Sequence, residues 1–132
     1  MDKIIVDSSV WIDFFANVLP EATTKTVDQL VLNNIACVTD IILYEMLVGT
    51  LSENEYKKTN LLFSSLLHLK IQDTEEYEFN HFSWSLHRTG LPGKYTDASI
   101  AFLAQKYDCP VLSFDTYFAK LAKKKIIRIL QF

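Results

Sequence analysis

The sequence predicts an α/β protein: a three-layer α/β/α domain around a five-stranded, mainly parallel sheet. Short unbroken apolar runs such as Ile4-Ile5-Val6 read as strands buried on both faces, the habit of parallel sheets. Stretches with apolar residues every three to four positions read as helices and separate those runs. The two kinds of segment alternate, which is the pattern of crossover units rather than hairpins.

The elements follow in order. Residues 3–6 read as the first strand and Ser8 to Ala16 as a helix directly after it. A second helix covers 22–33, with Val27, Leu30 and Val31 at helical spacing, and 36–38 form the second strand. Thr39 or Asp40 caps the helix that carries Glu45, and Gly49 lies near its end. Ser52 and Glu55 make an S-x-x-E capping box for the next helix, whose face is Tyr56, Thr59, Phe63, Leu66 and Leu67. Residues 69–71 are the third strand, and a helix over about 74–88 stops at Gly90 and Pro92. The loop LPGKY leads to Thr96, read as a cap, and the helix behind it packs through Ile100, Leu103, Ala104 and Tyr107. Two last strands over 111–114 and 126–130 flank a short helix over 116–123.

The chain has 132 residues, 49% of them hydrophobic and 22% charged, enough to bury a core as one domain over residues 1–132. No apolar run approaches the ~18 residues that span a bilayer, and Asp7 follows the first apolar run too closely for a signal peptide. Cys37 and Cys109 stand alone in apolar company as two small buried thiols, which places the chain in a reduced, cytoplasmic compartment. The net charge of −3 excludes a protein that coats nucleic acid through its overall charge, while leaving room for a local basic patch.

Four carboxylates stand where a carboxylate needs a partner. Asp7 ends the first strand, Glu45 interrupts the apolar stretch IILYEMLVG, Asp97 opens DASIAFLA, and Asp115 follows VLSF. Helix capping explains Asp7, Asp97 and Asp115 equally well, at about 0.5–2 kcal/mol each. It does not explain Glu45, whose helical neighbours are Ile41, Ile42, Val48 and Gly49. An unpaired carboxylate buried there would cost several kcal/mol. Glu45 therefore either faces solvent beside an exposed apolar patch or meets a cation, and hard divalent ions take oxygen ligands. In parallel sheets the sites form at strand carboxyl ends, where Asp7 and Asp115 lie. Ser9, two after Asp7, and Ser113, two before Asp115, read either as groups that orient a carboxylate or as plain turn residues.

The segments IIVDSSVWIDFF, VTDIILYEMLVGTL and YTDASIAFLAQKYDCPVLSFDTYFAKLA together resemble the PIN-domain ribonucleases, most closely the short VapC-type toxins. Each segment alone is weak; the ordered set of acids is specific and spans essentially the whole chain. The resemblance implies that Asp7, Glu45, Asp97 and Asp115 bind Mg²⁺, with Mn²⁺ as a substitute, that Ser9 supports them, and that RNA phosphodiester bonds are hydrolysed. It implies an antitoxin that lays a helix in an apolar groove, and a homodimer. Asp13 and Asp40 also match common acidic positions and read as a solvated helix residue and a cap.

Other classes fit less well. A haloacid-dehalogenase phosphotransferase needs a second Asp where Ser9 stands, and a receiver domain needs a Lys after a later strand. A PIN nuclease of RNA processing and a non-catalytic binding module share the fold. His68, His81 and His87 form no ligand set, Trp11 and Trp84 read as packing residues, and Lys123 to Lys125 as a solvated helix end. Trp11 lies close enough to Asp7 to have some claim to an interface. Arg88, Lys94 and Tyr95 are the candidate phosphate contacts, because their loop leads into Asp97.

Overall fold

A computed structural model describes residues 3–131. Its sheet contains four parallel strands: β1 (Ile4–Val6), β2 (Ala36–Thr39), β3 (Leu67–Leu69) and β4 (Val111–Leu112), in the order β3-β2-β1-β4. The expected fifth strand at 126–130 contributes only a single parallel bridge, from Ile129 to Val111. Arg128 and Ile129 follow a turn in which Lys125 takes a positive φ, and the chain meets β4 only at this point. The third strand starts two residues earlier than expected. Ser64 and Ser65 turn their hydroxyls back onto the carbonyls of Leu61 and Leu62, so the preceding helix stops and Leu67 pairs with Cys37.

Successive strand residues point to opposite faces, and Ile5, Val6, Cys37, Val38, Val111 and Leu112 are all fully buried. Both faces of the sheet are therefore covered, as the three-layer reading requires. Among the described residues, seven helices do the covering: α1 (Ser8–Phe15), α2 (Glu21–Leu32), α3 (Asp40–Val48), α4 (Glu53–Ser64), α5 (Glu76–Arg88), α6 (Tyr95–Lys106) and α7 (Thr116–Lys123). A 3₁₀ turn over Asp73–Glu75 precedes α5. Helix α3 touches α1, α4 and α6, which places Glu45 among the elements that carry the other acids.

Five helices end in one way. Val18, Ile35, Leu91, Cys109 and Ile126 each donate a backbone N–H to the carbonyl five residues earlier. The residues before them, Asn17, Asn34, Gly90, Asp108 and Lys125, have φ between 52° and 79°. That is the Schellman ending, completed by an apolar residue that folds back onto its helix. Asn, Asp and Gly accept the left-handed conformation readily, and Lys125 is the costly member.

The cap readings divide. Thr39 caps α3, its hydroxyl accepting from Ile42 N–H at 3.3 Å, and Asp40 is simply the first helical residue. Ser52 caps α4, but Glu55 reaches past it to the N–H of Leu51. Thr96 caps nothing, because α6 already begins at Tyr95. Trp11 is fully buried edge-on against Phe63, at 5.1 Å between centroids, so it is core and not interface. Burial pushes the Cys37 thiol up to about 12, as befits an inert thiol beside Cys109.

Candidate metal centre

The strand order fixes where a site can form. From β1 the chain crosses to β2 and β3 on one side, and β4 returns to the other. The β1–β4 boundary is thus the topological switch point, where crevices open at the carboxyl ends of the strands. Asp7 leaves β1 there and Asp115 follows β4.

Asp7 is only 7% exposed. It occupies the N-cap position of α1 yet makes no side-chain capping bond. Its Oδ2 instead accepts from Ser113 Oγ at 2.7 Å and Ser9 Oγ at 2.9 Å. The two hydroxyls lie 3.3 Å apart. Each is oriented by a backbone donor, Phe114 N–H to Ser9 Oγ at 3.1 Å and Asp115 N–H to Ser113 Oγ at 2.9 Å. The loop after β4 is therefore wired through two serines to one carboxylate oxygen on β1. Ser9 was legible as a supporting residue. Ser113 belongs beside it, and its signal was its place two residues before Asp115 on the same side of the strand.

Asp115 uses Oδ1 to cap α7 through Tyr117 N–H at 2.9 Å, so for this residue the capping role is real and coexists with the cluster. Asp97 sits half-buried in the first turn of α6. Burial raises its carboxyl above the ordinary range, and Asp115 and Asp7 add to the effect while Lys94 opposes it. Glu45 is the correction to the expectation of a buried misfit: as a residue it is exposed, beside the exposed Tyr44 and Val48. Its carboxyl leans over α1, where Ser8 Oγ donates weakly to Oε1 at 3.4 Å. Partial withdrawal from water raises it, with Asp7 and then Asp97 contributing repulsion. Of the two alternatives for Glu45, the solvent-facing one beside an exposed apolar patch describes its position, and Asp7 and Asp97 lie close enough to raise it.

Asp7 and Asp97 repel Glu45, Asp115 and Asp7 repel Asp97, and Lys94 opposes that repulsion at Asp97. Among the described residues, no three His, Cys, Asp or Glu side chains converge tightly enough to share an ion as they stand. The donor set itself is all oxygen, four carboxylates and two oriented hydroxyls, which is the set that a hard divalent cation takes. His68, His81 and His87 lie on β3 and α5, elements that carry none of these acids.

The family model of the PIN domain matches residues 4–124. The chain belongs to the PIN-domain family. Members of that family are nucleases, so the chain is placed among the hydrolases of phosphodiester bonds. A search of the curated proteins found no match. Among solved structures, this PIN domain is similar to a chain of VapBC2 from Rickettsia felis bound to a promoter DNA fragment, at 14% identity, TM-score 0.74 and 98% coverage of both chains. It is similar to a chain of DNA-bound VapBC from Salmonella typhimurium at 19% identity and TM-score 0.73, again with 98% of both chains covered. FitAcB from Neisseria gonorrhoeae gives 17% identity and TM-score 0.71 over 97% of this chain and 96% of that one. At these identities the likeness is one of fold.

Proposed function

We propose that this PIN domain is a Mg²⁺- or Mn²⁺-dependent endoribonuclease, the toxin of a toxin–antitoxin pair, acting in the cytoplasm as a single domain over residues 1–132 and as a homodimer. The observation that carries the reading is geometric: at the switch point of the sheet Ser9 and Ser113 hold Asp7 Oδ2 and tie it to the loop of Asp115, with Asp97 and Glu45 close enough to be raised by Asp7.

The four carboxylates would hold the ion, which when bound lowers the pKa of a water and neutralises charge on the scissile phosphodiester. The chain does the rest. Ser9 and Ser113 fix Asp7 Oδ2, so the most buried acid cannot turn away from the cleft. Capping of α7 holds Asp115 through Oδ1. Hydrolysis adds water across a phosphorus–oxygen bond and releases a proton from that water. That proton leaves to solvent; Glu45 and Asp97 are raised by burial and by their acidic neighbours, so a cation held among them would relieve a repulsion already present. Lys94, at the edge of the cleft, supplies a positive charge for an incoming phosphate.

The partner has a surface to match. A groove of about 670 Å³ runs between α1, α3 and α4, lined by Ile12, Phe15, Met46, Thr59 and Leu62, with Glu45 at its edge. An amphipathic helix could fill it and bring a basic side chain to the acids. The similar VapBC and FitAcB structures support an antitoxin partner. A gene just upstream encoding a small protein with a DNA-binding N-terminal half would agree.

Asp97→Asn tests the catalytic part. We expect purified protein to cleave RNA with Mg²⁺ or Mn²⁺, to stop in chelator, and to slow by at least ~100-fold on this substitution with an unchanged circular dichroism spectrum. A well-folded variant that cleaves at the parent rate would reject the assignment. Mapping RNA 5′ ends after induced expression, against Asp7→Asn, would name the substrate.

A further inference from the structure

Helix α5 carries a feature that the cleft does not use. Trp84, read from sequence as a packing residue, is 55% exposed. One turn later the Arg88 guanidinium lies 5.6 Å from the centre of its ring, and one turn earlier the His81 ring lies 5.5 Å away. Residues at positions 81, 84 and 88 share one stripe of a helix. The indole is thus presented to solvent and held in orientation by its neighbours.

We propose that Trp84 and Arg88, continued by Lys94, form a landing strip for unpaired RNA, with one base stacked at Trp84 and phosphates held by the two cations. This rests on the nuclease reading and extends it to residues outside the cleft. Three observations carry it. The first is charge. The acids of α5, Glu76 and Glu78, sit in its first turn, whereas His87 and Arg88 occupy its last. Lys25, Lys57, Lys106 and Arg128 are tied to carboxylates, while among the described residues no ion pair holds Arg88 or Lys94. Other lysines share that condition, but Arg88 lies against the exposed indole and Lys94 lies near Asp97, so these two cations flank the way from Trp84 to the acids.

The second is continuity with the site. Leu91 N–H donates to Leu86 O at 2.9 Å, Tyr117 Oη donates to Leu91 O at 2.9 Å, and Tyr117 N–H donates to Asp115 Oδ1 at 2.9 Å. Three hydrogen bonds therefore tie the end of α5 to a carboxylate of the cleft. In the chain, Lys94 stands between Arg88 and Asp97, so the proposed strip runs from the exposed indole toward the acids. The third is chemistry. An exposed indole under a guanidinium takes any base with a free face, and bases offer free faces only where they are unpaired.

The test is fluorescence anisotropy with a labelled pool of randomised single-stranded RNA, and the same pool annealed to its complement, on the cleavage-deficient Asp7→Asn protein in Mg²⁺ buffer. We expect the single strands to bind more tightly than the duplex. We expect Trp84→Ala to weaken single-strand binding about 5- to 100-fold and Trp84→Phe to restore most of it. Arg88→Ala should lower the slope of log affinity against log salt by about 0.7 for each phosphate no longer neutralised. Lys25→Ala, on α2, should change neither. Thermal melting confirms that each variant is folded, and Arg88→Glu serves if Trp84→Ala is not. Binding within twofold of the parent in both Trp84→Ala and Arg88→Ala, with the parent salt slope, overturns the proposal. So does a parent that binds neither pool or prefers duplex. So does sedimentation showing that the substitutions break a protein interface while RNA affinity stays. The nuclease reading is judged separately, by whether cleavage depends on Asp7 and Asp97, so the two can fail independently.

Discussion

Ser113→Ala removes one hydroxyl and tests whether the serine relay holds Asp7 in place. Ser113 Oγ donates at 2.7 Å to a carboxylate that is 7% exposed, and it accepts from Asp115 N–H at 2.9 Å. Asp115 is exposed, so water replaces the missing acceptor at little cost. The bond to Asp7 is different: it is charge-assisted, and little water reaches the acid to replace it. Such a bond contributes about 1.5–3 kcal/mol. At about 3–5 °C per kcal/mol for a chain of this size, the melting temperature should fall by about 5–15 °C. Ser9 serves the same oxygen, so the two effects will not add. The double variant Ser9→Ala/Ser113→Ala should differ from the sum of the singles by about 0.5–3 kcal/mol. Differential scanning calorimetry in chelator gives all four values without any contribution from a bound ion. Melting within about 1 °C of the parent, with strict additivity, would refute the idea that the relay positions Asp7.

Two further predictions concern the same neighbourhood. Burial and mutual repulsion raise Glu45 and Asp97, so the folded chain binds more protons than the unfolded one as these groups titrate. Stability of the chelated protein should therefore fall as pH rises from below the ordinary carboxylate range to above the raised values, and Asp97→Asn should flatten that fall. Mn²⁺ competes with protons for the same oxygens, so calorimetric titration should show affinity dropping from about pH 8 to about pH 5, and a flat profile would count against the site. The second prediction uses Gly93, where an added Cβ would lie 2.5 Å from Tyr117 Oη. Gly93→Ala should displace that ring from Leu91 O and lower both stability and cleavage. Tyr117→Phe alone should cost about 1 kcal/mol in denaturant unfolding and should soften the Gly93→Ala penalty; equal penalties in both backgrounds would disprove the contact.

The parts of this molecule that read well from sequence are those set by local rules. Apolar runs marked the strands, and Thr39, Gly90 and Ser52 marked helix ends, because caps act within one turn. The parts that read poorly depend on distant residues. Leu67 looked like the face of a helix because it follows Phe63 by four, yet pairing with Cys37 claims it for the sheet. Residues 126–130 are as apolar as a strand, but only Ile129 finds a partner in the sheet. Apolar neighbours left Glu45 either facing solvent or meeting a cation; it is exposed and lines an open groove with Met46 and Gly49, which no periodicity reveals. Trp84 looked like core for the same reason. The order and types of the four acids were legible, whereas the bond from Ser113 to Asp7 spans 106 positions and needed the fold.

The placement of β1 between β2 and β4 has a consequence for how this chain is born. The first strand to leave the ribosome has to wait for the last one. At about 5–20 residues per second, the 106 positions from Asp7 to Ser113 take roughly 5–20 s to synthesise. For that interval one edge of β1 is unpaired, and the acids at its end lack both Ser113 and Asp115. A nascent or truncated chain that stops short of Ser113 thus has Asp7 without the hydroxyl that holds its Oδ2. The carboxyl end of β1 is therefore assembled last, although it is synthesised first.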